Sequence, residues 1–210
     1  MDQNIVELLD AIQAANAAIG IVVERAAPVT RSEIDEAEAF LGVSIPDDIL
    51  TLYRWSNGTD LVDGPVPALF HGDNLTLVPL KRSAAEMVDH YSARFQMLPG
   101  ERQDNELGEE LSDPEPFPSL LVATAYESLM VVVSLVPGRV GEIWLWMGYG
   151  RFCVKVFDSL SEFLELQLGF LDAGVVKEVG PGQYVIDHKN SACDALNVPP
   201  AWRKFRWWDR

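Results

Sequence analysis

The sequence predicts an α+β fold, an antiparallel sheet with flanking helices, on three observations. Its N-terminal part repeats apolar residues at helical spacing between turn formers. Residues 119–157 break into short runs rich in β-branched and aromatic side chains, set too close together for parallel pairing, which needs a crossover of about a dozen residues. A last helical pattern then closes the run of strands.

Taken in order, Ile5, Leu8, Leu9, Ile12 and Ile19 recur at helical spacing over 4–19, alanines fill the rest, and Gly20 follows as a stop. In PVTRSEIDEAEAFLG, Thr30 and Glu33 have capping-box spacing, and Ile34, Ala37, Phe40 and Leu41 are expected on one buried face before Gly42. Pro46 suits a helical first turn, where its missing N–H is no loss, and Asp47 and Asp48 complement the helix dipole. Ile49, Leu52, Tyr53 and Ser56 then share a face that Leu50 and Trp55 widen, and Asn57-Gly58 is expected to end the helix in the left-handed conformation.

Residues 59–74 read as a loop, with a short strand around Leu69-Phe70. LTLVPL (75–80) reads as extended, and SAAEMVDHYSARF (83–95) as an amphipathic helix starting at Ser83. PGERQDNELGEELSDPEP (99–116) holds seven acids and one arginine and reads as a solvated loop. Strands are expected at 119–125, 129–136, 140–147 and 151–157, with Pro137-Gly138 as one turn. Ser159 and Glu162 form a second capping box for a helix carrying Leu160, Phe163, Leu164 and Leu168 to about Asp172. Beyond it, a short strand is expected at Gln183–Asp187. The chain ends in PPAWRKFRWWDR, whose aromatics and cations could stack on single-stranded nucleic acid. The favoured reading packs Trp202 and Phe205 on the domain with the cations facing its acidic body.

An apolar fraction of 48% excludes wholesale disorder. No apolar run approaches the roughly 18–20 residues of a membrane span, and MDQNIVELLD is acidic where a secretory signal is basic, so a cytoplasmic protein is expected. Cys153 and Cys193 have neither disulfide-framework nor metal-site spacing and read as free thiols. The net charge is −16. Residues 1–172 hold 28 acids and 10 bases, giving −18, and 173–210 hold 4 acids and 6 bases, giving +2. Such a body repels nucleic acid and anionic membrane and steers a basic partner.

The catalytic vocabulary is thin. His71, His90 and His188 have no metal-site spacing, Gly148-Tyr149-Gly150 and Gly180-Pro181-Gly182 lack the rest of a dinucleotide fingerprint, and no nucleophile elbow or phosphate loop occurs. With 32 acids, carboxylate pairs arise by chance and specify nothing. No catalytic residue, metal or cofactor is expected, and the chain does not read as an enzyme.

EIDEAEAFLGVSIPDDILTLYRWSNG (33–58) resembles the SUKH superfamily of the Smi/Knr type, through Ile34, Glu38, Leu41, Gly42, Ile45, Pro46, Leu52, Tyr53, Asn57 and Gly58. GEIWLW (141–146) and VFDSLSEFLEL (156–166) fit the later half, so the resemblance covers roughly 28–172. It implies a SUKH-like α+β domain over 1–172, counting the N-terminal packing helix, and leaves 173–210 as an extension docking on it. For function it implies a bacterial immunity protein that binds and blocks a cognate protein toxin, with no catalytic residues to transfer. Many such toxins are basic nucleases, which suits the acidic body. The expected binding surface is acidic, made by Asp60, Asp63 and Asp73 in one loop and Glu106, Glu109, Glu110 and Asp113 in another. The sheet face with Trp144 and Trp146 is the next surface in line. The second functional reading is a regulatory or scaffold domain with endogenous protein partners.

Overall fold

The computed structural model describes residues 3–58, 69–70, 75–85, 119–125, 129–147, 152–180 and 183–203. Three helices come first: α1 (Gln3–Ala18), α2 (Arg31–Leu41) and α3 (Asp47–Trp55). After β1 (Thr76–Leu77), helix α4 is described over 80–85. Strands β2 (Ser119–Ala125), β3 (Leu129–Ser134), β4 (Ile143–Met147) and β5 (Phe152–Phe157) follow, then α5 (Leu160–Asp172). The described residues end with β6 (Val176–Gly180), β7 (Gln183–Ile186), a 3-10 turn at Ser191–Ala195 and the short α6 (Pro200–Arg203).

Among the described residues the main sheet has five strands in the order β1-β2-β3-β4-β5, every pair antiparallel, so the fold is α+β as expected. Chain neighbours are sheet neighbours from β2 to β5, which is what the short connections require. The pleat sends alternate residues to opposite faces. One face, with Leu120, Val131, Val133, Ile143 and Leu145, joins the main core beneath the helices. The other gathers Val78, Leu121, Met130, Val132 and Trp144 into a second apolar cluster. An irregularity between Leu121 and Ala123 inserts one residue in β2, so Val122 and Ala123 both serve the main core.

Helix α1 buries Ile5, Leu9, Ile12 and Asn16, the last donating its side-chain N–H to the Leu69 carbonyl at 3.2 Å. Ile19, expected in that stripe, lies past the helix end and is exposed. Leu69 and Phe70 are fully buried, and Phe70 pairs with Leu75 in an isolated antiparallel bridge. Its ring meets Phe163 of α5 edge-on at 5.0 Å.

Several boundaries differ from expectation. Pro46 is the N-cap of α3, one position before the first turn, and its carbonyl accepts from Leu50 N–H at 2.9 Å. Pro79 acts alike, accepting from Ser83 N–H at 2.8 Å, so α4 begins three residues before the expected Ser83. Residues 86–95 of that predicted helix lie outside the described residues. At α5, Ser159 accepts from Glu162 N–H, but the Glu162 carboxylate takes the Asp158 N–H at 2.9 Å, so the box is displaced by one residue. Strand β6 pairs with β7 in a hairpin that the sequence reading had only half of.

The last described segment is tied to the core. Trp202 is fully buried, its ring 5.9 Å from Phe157 and 6.2 Å from Phe163. Val198 and Cys193 are buried with it, and Cys193 is a free thiol. Phe205 and the terminal cations from Lys204 onward lie outside the described residues.

Candidate partner-binding surface

The acids singled out from the sequence, Asp60, Asp63, Asp73, Glu106, Glu109, Glu110 and Asp113, all lie outside the described residues. What the structure does describe is the frame on either side of the first three: Gly58 and buried Leu69 flank Asp60 and Asp63 in the chain, and buried Phe70 and Leu75 flank Asp73.

That frame is built by polar residues of the 33–58 stretch. Thr30 caps α2 by accepting Glu33 N–H at 3.3 Å, and the Glu33 carboxylate returns to Thr30 N–H at 2.7 Å, the full capping box. The Thr30 hydroxyl also donates to that carboxylate at 2.7 Å, and this bond, with the one from Thr30 N–H, holds the Glu33 carboxyl below its ordinary pKa. Gly42 closes the helix at φ 70°, in the left-handed region. Glu38 then accepts Ile45 N–H at 2.9 Å, fixing the crossing from α2 to α3.

At the far end of α3, the cap is Ser56 in extended geometry, so Asn57-Gly58 is not the helix stop that was expected. The two residues hold a junction instead. Asn57 accepts Leu80 N–H at 2.9 Å and donates to Glu33 at 3.4 Å, joining the starts of α2 and α4. Ser56 accepts Ala26 N–H and donates to the Gly58 carbonyl at 2.7 Å. Gly58 has φ 97°, and a Cβ there would sit 2.7 Å from Pro79 Cγ, so only glycine fits.

Between α2 and α4 lies an open cleft of about 200 Å³. Helix α2 lines it with Glu33, Glu36, Ala37 and Phe40, and α4 with Lys81, Ala84 and Ala85. Phe40, expected in the buried stripe, is 57% exposed here, whereas Ile34 and Ala37 are buried. Helical spacing places Phe40 on the right side of α2. It does not reveal that, among the described residues, α4 meets this side of α2 with Lys81 and two small alanines, Ala84 and Ala85.

A second polar cluster marks the start of β4. Glu142 accepts from Lys155 at 3.1 Å, Arg139 at 3.2 Å and the Trp144 indole at 3.3 Å. The Arg139 guanidinium stacks over the Trp144 ring at 4.6 Å. Partial burial pushes the Glu142 carboxyl up, but the hydrogen bonds and charges of Lys155 and Arg139 outweigh it and leave its pKa below the ordinary value. Lys155 is raised, chiefly by its hydrogen bonds to Asp158 and Glu142. Trp144, on the sheet face named as the next surface in line, is 7% exposed. The Trp146 side chain lies outside what is described.

Tyr53 is fully buried, donates to the Leu121 carbonyl at 3.2 Å, and burial pushes its phenol far above the ordinary value, so it remains a neutral strut between α3 and the sheet. Among the described residues, no cluster of three His, Cys, Asp or Glu side chains is placed to hold a metal ion. No described helix is long and apolar enough to cross a membrane.

No curated protein matches the chain. The model of the SMI1 / KNR4 family (SUKH-1) matches residues 28–166, which run from Pro28 before the α2 cap, through the α2–α3 junction and the sheet, into α5. That span is more than half of the chain and includes the Glu38, Asn57 and Gly58 contacts described above, and the chain belongs to the SMI1 / KNR4 family (SUKH-1).

Proposed function

We propose that this chain is an immunity protein, one that binds a cognate protein toxin stoichiometrically and neutralises it without chemistry of its own. The observation that carries the reading is membership of the SUKH family in a chain of net charge −16. The toxin is basic, for example a nuclease, because a surface that binds phosphate is complementary to an acidic one. The acids Asp60, Asp63, Asp73, Glu106, Glu109, Glu110 and Asp113 make the electrostatic part of the interface, the complex forms in the cytoplasm, and nucleic acid and membrane are not partners. Residues 1–172 are the binding domain, and 173–210 brace it through Trp202.

The test is co-expression in a bacterial host with the product of the reading frame adjacent to this gene. Growth arrest by that product, relieved by this chain, and co-purification of the two in equal amounts are expected. Arrest that this chain does not relieve would overturn the reading and favour a regulatory or scaffold domain with endogenous partners.

A further inference from the structure

We infer that the cleft between α2 and α4 is a docking site for a bulky apolar side chain that a basic protein partner presents between arginines or lysines. The inference rests on the immunity reading for its biological setting, but its physical basis is the cleft.

Size decides the class of occupant. About 200 Å³ falls short of the roughly 300–1,000 Å³ that encloses a small-molecule ligand, yet suits one large aliphatic or aromatic side chain. The lining gives the chemistry. Ala37 and Ala84 are buried at the bottom, and Phe40 stands beside them 57% exposed. An aromatic ring left open beside an apolar hollow is the kind of anchor that dominates protein interfaces.

Charge selects the partner. Helix α2 carries Glu33, Asp35, Glu36 and Glu38 against Arg31, a net −3, and Lys81 and Arg82 of α4 leave −1. The C-terminal end of a helix is itself negative, and the last turn of α2, where Phe40 sits, has no basic residue to offset it. Glu33 and Glu38 are occupied with Thr30 and Ile45 and Asp35 pairs with Arg31 at 2.8 Å, so Glu36, an exposed cleft residue that accepts only a 3.3 Å bond from Ser32, is the rim carboxylate best placed to meet an incoming cation. A cation over the Phe40 ring would add an attraction of the same sign.

The probe is a synthetic amphipathic helical peptide with leucines on one face and arginines beside them, titrated into the isotope-labelled full chain. Amide shifts are expected to concentrate in 33–41 and 81–85. Phe40→Ser should weaken binding at least about tenfold, on the order of an interface anchor's contribution. Glu36→Lys should weaken it about threefold or more at low salt and less as salt rises. Both positions are on the surface, so the variants keep the fold, which unchanged melts would verify. Replacing the leucines by serine, or the arginines by glutamate, should abolish binding. No binding of the parent peptide, shifts confined to other residues, or a Phe40→Ser protein that binds like wild type would each overturn the inference. Cleft binding in a protein that fails the growth assay would leave the cleft in place and remove the immunity reading. Protection with no cleft binding would do the reverse.

Discussion

Asn57 and Gly58 show how side chains that do no chemistry can still be tightly constrained. Asn57 satisfies the first N–H of α4 while tying back to α2, and Gly58 lets Pro79 approach to a distance that no Cβ permits. Gly58→Val should therefore cost about 1–2 kcal/mol for the left-handed backbone and about 1–3 more for overlap with Pro79. At about 2–4 °C per kcal/mol for a chain of this size, a thermal melt should fall by about 4 °C or more, and one within a degree of wild type would contradict the close approach. Glu142 makes a prediction in pH. Its folded pKa is depressed, so the stability it contributes is complete above its unfolded value of about 4.3 and is lost as pH falls through the lower folded value. Urea unfolding of wild type and Glu142→Gln should differ at pH 7 and converge near pH 3, whereas a constant difference would place the interaction elsewhere.

Whole elements were largely legible because each announced its ends. The α2 cap, with Thr30 and Glu33, was readable from spacing alone, and Thr30→Ala should cost about 1 kcal/mol, seen as a melt lowered by about 2–4 °C. Strands β2 to β5 stood out as apolar runs between turn formers, and their order followed from short connections. Three elements were misread for separate reasons. Ser83 offered a helix-cap signal, but Pro79 took the role because a proline before α4 loses no hydrogen bond. Asn57-Gly58 matched a left-handed helix stop, yet tertiary contacts with Glu33, Leu80 and Pro79 claimed both residues. Strand β6, VKEVG, has little to bury and exposes Lys177, Glu178 and Val179, so no apolar pattern betrayed it. The cleft was illegible for a related reason. Periodicity tells which residues share a face, but which of them a neighbour covers depends on the size of side chains far away in sequence, here Ala84 and Ala85.

At the scale of the molecule, Trp202 near the end of the described residues shares the main core with Phe157 and Phe163. Trp202→Ala should cost about 3–5 kcal/mol, as for other fully buried large aromatics, and a urea midpoint close to wild type would separate the tail from the core. The remaining large-scale property is charge, −18 over 1–172 against +2 over 173–210. A field of that sign accelerates encounter with a basic protein and is screened by salt within about 10 Å at 0.1 M. The most direct test of neutralisation by an acidic surface is the association rate of this chain with the purified product of the adjacent reading frame. It would be measured at low and physiological ionic strength for wild type and for a variant with Glu106, Glu109, Glu110 and Asp113 changed to Ser or Asn. Stoichiometric binding is expected, with the variant associating about tenfold more slowly at low salt and the gap closing as salt is raised. No binding by the wild type, or binding whose rate ignores both salt and the four substitutions, would contradict it.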